Sequence, residues 1–187
     1  MPKTIIYCSD GTWQTSVNNT NVYRIAKAIV HSAEQMVFYD DGVGTDGNPI
    51  SKLLGGAFGL GLWDKIKQGY AQIANGYDPN DLLYLFGFSR GAYTARSLAG
   101  MIAVCGLPTQ NFSNSVVDTA FNAYRATDPN TREGLLDSLK PNHMFDAKIT
   151  MVGVWDTVEN AQLVDNIFTS MTIFRGAIAL RTLPVFA

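Results

Sequence analysis

The pentapeptide Gly87-Phe88-Ser89-Arg90-Gly91 has the spacing G-x-S-x-G. Alone, that spacing arises often by chance, so its flanks decide what it means. Before it runs Asp81–Phe88, DLLYLFGF, which has almost no polar interruption and reads as a strand. After it the chain reads as a helix ending near Cys105, with Gly106 and Pro108 as stop signals. A strand that turns at once into a helix strains the corner residue, and a side chain at either flanking glycine would strike neighbouring backbone. The Ser89 hydroxyl is then presented above a sheet edge, and the helix N-terminus turns unpaired N–H groups towards a developing oxyanion. The role implied is that of a catalytic nucleophile at Ser89. The plainer alternative is a serine that only caps the helix.

Other groups can be assigned around that corner. The N–H of Arg90 is one expected oxyanion donor. The second is expected from the loop after an earlier strand, where Gly11 and Thr12 follow the apolar run TIIYCS and Gly11 allows close backbone approach. Asp156 ends the strand-like run KITMVGVW, and a carboxylate at a carboxyl strand end lies near the elbow; a loop-capping aspartate is its alternative. Serine needs a base. The chain has two histidines, His31 and His143. His31 shares the polar side of the first helix with Lys27 and reads as surface. His143, in a Pro-Asn-His-Met loop ahead of the fourth strand, falls at the amino end of that strand. That is the wrong edge for a base, although no other histidine inside the chain can stand in.

These residues need a scaffold that brings strand ends together. Strands are expected over Thr4–Ser9, Gln35–Tyr39, Asp81–Phe88 and Lys148–Trp155. Helices are expected from Val22, over Trp63–Asn75 with Gly76 as a stop, after Ser89, around Val116–Tyr124, and from Ile167 to at least Leu180. The glycine-rich stretch Gly55–Gly61 is expected to be a loop bordering the cleft, as no Gly-Lys-Ser/Thr follows to make it a phosphate loop. Alternating strands and helices predict an α/β fold of three layers, with a mainly parallel sheet and the site beyond the carboxyl ends of its strands. No internal repeat interrupts this, and the 187 residues read as a single domain.

Composition narrows the partners. Net charge is -2, so no electrostatic case exists for nucleic acid. Hydrophobic residues make up 47% and charged residues 16%, enough for a real core. No run approaches the roughly 20 apolar residues of a membrane span, and no secretory signal opens the chain. Cys8 and Cys105 show neither disulfide nor metal spacing, and read as two reduced, buried thiols. A cytoplasmic origin follows, with signal-independent export open. No cofactor and no metal is implied. The run Cys8-Ser9-Asp10-Gly11-Thr12 is near the D-x-D-G-T motif of haloacid-dehalogenase-type phosphatases, but Cys8 stands where the nucleophilic aspartate would be.

The stretches SDGTW, TNVYR, YDDGVGT, GGAFGLGL, LYLFGFSRGAYTARSLAGMI and VGVWDTV follow one another in order. Together they resemble a bacterial and fungal family of α/β-hydrolase domains that includes phospholipase effectors of type VI secretion. The resemblance runs from about Thr4 to at least Val158. It implies an α/β-hydrolase-like fold and an esterase or phospholipase reaction through a Ser-Asp-His triad, on a small ester or lipid. Ser89 matches the nucleophile and Asp156 the acid, while Asp10 in the DGTW motif shapes the oxyanion loop, with Gly87 and Gly91 as motif glycines. The family histidine lies in a later segment, and nothing like it precedes Ala187. The expectation is a C-terminally truncated domain, weak or inactive alone, whose histidine comes from a missing half or a partner chain. The contrasting expectation is a catalytically incomplete binding module. Its apolar tail, with Ile167, Phe168, Met171, Ile173 and Phe174, would meet that missing half or a second copy.

Overall fold

The apolar runs of the sequence become strands that lie side by side. The computed structural model describes residues 2–11, 18–41, 57–109, 112–157 and 180–182, with the backbone alone for 57–60 and 180–182. Its strands are β1 (Thr4–Ser9), β2 (Gln35–Asp40), β3 (Leu82–Phe88), β4 (Leu107–Pro108), β5 (His143–Met144), β6 (Ile149–Trp155) and β7 (Leu180–Thr182). Five of these form one sheet in the order β2-β1-β3-β6-β7, and each neighbouring pair is parallel. The other two, β4 and β5, pair antiparallel as a small separate ribbon.

The helices are α1 (Asn21–Ala28), α2 (Ala57–Gly76), α3 (Arg90–Cys105), α4 (Asn114–Arg125) and α5 (Pro129–Leu139). Successive strand residues point to opposite faces, and β1 shows what each face meets. Ile6 and Cys8 pack with Val22 and Ala26 of α1. Ile5 and Tyr7 pack with Ile66, Tyr70 and Ile73 of α2 and with Leu98 of α3. This makes three layers. The chain steps from β1 to β2 on one side, then returns past β1 to β3 on the other. Crossovers of one hand in opposite directions must lie on opposite faces, as α1 and α2 do.

Several expectations change. The helix α2 begins at Ala57, so Gly59 and Gly61 are helical rather than part of a loop. Each glycine costs a helix about 1 kcal/mol, less than the burial of Leu62, Ile66, Tyr70 and Ile73 supplies. The helix α5 is an addition to the expected elements, because its buried face is little more than Leu139. Its start is nonetheless written locally, since Asp128 caps Thr131 at 2.7 Å and Pro129 opens the first turn. Leu180 lies in a strand, where a helix is expected to reach it; the rest of that expected helix, and the apolar tail residues named above, lie outside the described residues. In β3 burial alternates: Leu83 and Leu85 are fully covered, while Tyr84, Phe86 and Phe88 are half-buried under α1's side. Cys8 and Cys105 are buried and not joined. Among the described residues no helix is long and apolar enough to cross a membrane.

The amino edge of the sheet is locked by one carboxylate. Asp81 accepts the backbone N–H of Lys3 and of Asp78, both at 2.8 Å, and pairs with the Lys3 ammonium at 2.7 Å. Burial opposes its charge, but these partners win and hold its carboxyl below the usual carboxylate range. Asp81→Ala is expected to lower unfolding free energy by about 3 kcal/mol in urea denaturation. A depressed folded pKa stabilises above the unfolded value, so this contribution is full at neutral pH and fades as acid protonates Asp81. Stability of the wild type and the variant should therefore converge in acid, and a gap that stays constant there would refute the assignment.

Candidate active site

Ser89 stands where β3 turns into α3. Its backbone has φ 54° and ψ -116°, a region that non-glycine residues rarely enter. Its side chain makes no capping hydrogen bond to the helix it precedes, so the capping alternative does not describe it. The helix ladder begins with the N–H of Ala92 donating to the Ser89 carbonyl at 3.1 Å. The amides of Arg90 and Gly91 therefore precede that ladder.

The two glycines are sterically required. A Cβ on Gly87 would lie 2.3 Å from the Gly91 carbonyl oxygen, and one on Gly91 would lie 2.0 Å from that of Ser9. Both contacts are with backbone, which cannot swing away. The first turn of α3 is thus pressed against the ends of β1 and β3 at once.

Asp156 sits one residue beyond β6. Phe88 and Trp155 are register partners, so Ser89 and Asp156 leave adjacent strands side by side. The Ser89 N–H donates to the Trp155 carbonyl at 2.9 Å, which ties the two exits together. Asp156 is exposed and has φ 45°, a conformation aspartate tolerates better than most residues. The next residue, Thr157, accepts a hydrogen bond from Arg96 Nε on α3 at 3.2 Å.

On the other side of the elbow lies the β1 exit. Asp10 is 2% exposed, and its carboxylate is fully engaged. Oδ1 accepts the N–H of Gly11 at 2.9 Å, and Oδ2 accepts the hydroxyls of Thr20 at 2.6 Å and Tyr39 at 2.8 Å. The Gly11 N–H is thus engaged by Asp10, because a buried carboxylate must collect donors. Thr12, its companion as an expected oxyanion donor, lies outside the described residues. The strand order reverses at β1, with β2 on one side and β3 on the other. Ligands of open α/β sheets bind at such a switch point, outside the carboxyl ends. Ser9, Asp10 and Ser89 flank it.

Comparison with known proteins now adds a family. The sequence model of the catalytic domain of Tle1-like phospholipase effectors of type VI secretion matches residues 3–182. The chain belongs to this family. It is also 28% identical over 193 residues to the Saccharomyces cerevisiae protein YEL023C, covering 89% of this chain and 28% of the yeast protein. The chain therefore spans less than a third of that relative's length. No solved structure matches it.

In this Tle1-like domain the histidines stand apart from the elbow. His31 is exposed and lies beyond α1, which ends at Ala28. His143 is buried in β5, where it pairs with Pro108 just past the far end of α3, and its Nδ1 lies 3.1 Å from the Leu139 carbonyl. A helix of 16 residues is roughly 24 Å long, so His143 and Ser89 sit a helix length apart. Burial also lowers the His143 pKa.

Sequence reasoning missed several groups at the carboxyl edge: Tyr39, Thr20, Asp40, Lys65 and Arg96. Asp40, the last residue of β2, pairs with Lys65 of α2 and accepts the Tyr7 hydroxyl at 3.4 Å. Burial pushes its carboxyl up, against the pull of Lys65. The sequence signal was position alone, since Asp40 ends a strand as Asp10 and Asp156 nearly do.

The elbow's steric account makes a graded prediction. Gly91→Ala should destabilise by about 3 kcal/mol, and Gly87→Ala comparably. Gly100→Ala meets only the movable Tyr124 ring, at 3.0 Å, and should cost less. Gly134→Ala meets nothing within 4 Å on α5, and should stabilise by about 0.5–1 kcal/mol. Denaturant midpoints of the four variants check the order.

Proposed function

We propose that this chain carries the nucleophile part of an α/β-hydrolase-type serine esterase or phospholipase, acting on an acyl ester of a lipid or small molecule. The observation that carries the reading is the backbone of Ser89: strained, not capping, hemmed by two required glycines and set at the switch point of the sheet. Membership in a phospholipase-effector family supports an ester substrate.

In this reading the Ser89 Oγ attacks the ester carbonyl carbon, its proton passes to a base, and the alkoxide leaves with a proton returned from that base. Water then cleaves the acyl-serine by the same route. The Arg90 N–H at the head of α3 stabilises the oxyanion, and the Gly11–Thr12 corner, held in place by Asp10, supplies the second contribution. Asp156 orients and charge-stabilises the base. Neither His31 nor His143 is placed to be that base, so the histidine comes from a further segment or a second chain. The 187 residues alone then act weakly. Cytoplasmic synthesis with signal-independent export accords with this, as do two buried thiols.

A binding module without turnover is the second reading, favoured by the distance of His143 from Ser89. Fluorophosphonate labelling and short-chain ester turnover decide between them. We expect slow labelling that Ser89→Ala abolishes and that His143→Ala leaves unchanged, with turnover raised by added imidazole as a diffusible base. With the histidine supplied, Asp156→Asn should lower turnover about 1,000-fold or more, since asparagine also accepts the positive φ. Turnover or labelling that persists unchanged in Ser89→Ala would remove the serine mechanism. No label in a folded sample, with or without imidazole, would leave the binding module.

A further inference from the structure

We infer that Tyr39 and Thr20 are positioning residues of the proposed ester-cleaving site, fixing through Asp10 the loop corner that faces the Ser89 elbow. The inference rests on the serine-hydrolase reading. Tyr39 is the next-to-last residue of β2, and Thr20 is the N-cap of α1, where it accepts the Tyr23 N–H at 3.0 Å. Their hydroxyls converge on one oxygen, Asp10 Oδ2, at 2.8 and 2.6 Å. Short hydroxyl bonds to a carboxylate are charge-assisted and strong.

Something must set that carboxylate. The last torsion of an aspartate is broad and soft, so Asp10 alone would not hold Gly11 in one place. With Oδ2 pinned by two hydroxyls, Oδ1 is fixed where it accepts the Gly11 N–H at 2.9 Å. The backbone is pinned as well, because the Asp10 N–H donates to the Asp40 carbonyl at 3.0 Å. The same corner abuts the first turn of α3, for a Cβ on Gly91 would lie 2.6 Å from the Asp10 carbonyl oxygen. The corner is therefore clamped between the first turn of α3 and a pair of hydroxyl groups. Tyr39 suits this role as a lasting donor. Burial, and then the neighbouring Asp10, drive its pKa far up, so the phenol keeps its proton. Its ring is held independently, edge-on to Tyr23 at 5.5 Å, so Tyr39→Phe removes the hydroxyl and keeps the packing.

An oxyanion donor displaced by about 1 Å costs on the order of 100-fold in rate. The test compares wild type, Ser89→Ala, Tyr39→Phe, Thr20→Val and Thr20→Ser in fluorophosphonate labelling rate, with hydrogen exchange at the Gly11 amide read alongside. All are compared at a temperature where circular dichroism shows each folded. We expect Tyr39→Phe and Thr20→Val to label at least about 10-fold more slowly at saturating probe, with half-saturation little changed. Gly11 should exchange faster in both, and Thr20→Ser should restore both readouts. If wild type and Ser89→Ala label alike, the serine reading fails and this inference falls with it. If labelling depends on Ser89 but Tyr39→Phe matches wild type in rate and in Gly11 exchange, the positioning inference alone is overturned.

Discussion

The first turn of α3 meets the ends of β1 and β3 backbone to backbone, with no room for a side chain at Gly87 or Gly91. Everything at the carboxyl edge depends on that contact. Because both positions are glycine the helix can start immediately after β3, and only then must Ser89 take its positive φ. Such a conformation costs of order 1–3 kcal/mol. The surroundings outweigh that cost. Leu98, Met101 and Ile102 of α3 are exposed by 1% or less, and each such side chain contributes roughly 1.5–3 kcal/mol. The helix cannot relax the serine without withdrawing from the core, so the strain is held by packing remote from it.

The same contact ties three segments distant in sequence into one rim. The β1 exit touches α3 through Ser9 and Asp10, the β6 exit touches it through the Ser89–Trp155 bond and through Arg96 and Thr157, and β2 joins through Tyr39 and Asp40. Parallel strands make this possible, since all their carboxyl ends fall on one edge. Chemistry gathers there because loops at a strand end can present groups while the strands behind them stay fixed. The amino edge has another character: Lys3, Asp78 and Asp81 close on one another and leave the Asp81 carboxylate satisfied.

What was legible in the sequence was what is local. The four apolar runs became four strands of the sheet within a residue or two, and the tight corner at Ser89 between Gly87 and Gly91 was legible because strand, corner and helix are contiguous. The helix start at Ala57 was not legible, since two glycines argue against a helix and only the burial of Leu62 and Ile66 reverses that. Nor was the strand at Leu180–Thr182, whose partner is β6, nearly 30 residues earlier in the chain and invisible to periodicity. Tyr39 and Thr20 carried no signal by themselves; a tyrosine in a strand and a threonine before a helix are ordinary until the sheet brings both to Asp10. The partner of the Gly11 N–H was not legible for the same reason, because it is a buried carboxylate whose need for donors depends on tertiary burial.

Locality also explains which parts of the proposed site this chain brings together. The proposed nucleophile and its first oxyanion donor can share one turn, because Ser89 and the Arg90 N–H are consecutive in the chain. The proposed acid lies one strand away, and the β3–β6 register sets Asp156 beside the elbow. A base has to reach Ser89 from above the strand ends, and the residues best able to do so follow a strand exit. His143 instead precedes β6, so the parallel direction of the sheet sends it to the opposite edge, at the far end of α3. No side-chain rotation crosses that length. The direction of one strand therefore separates His143 from Ser89, and in the proposed reaction a base for Ser89 has to approach from the carboxyl edge.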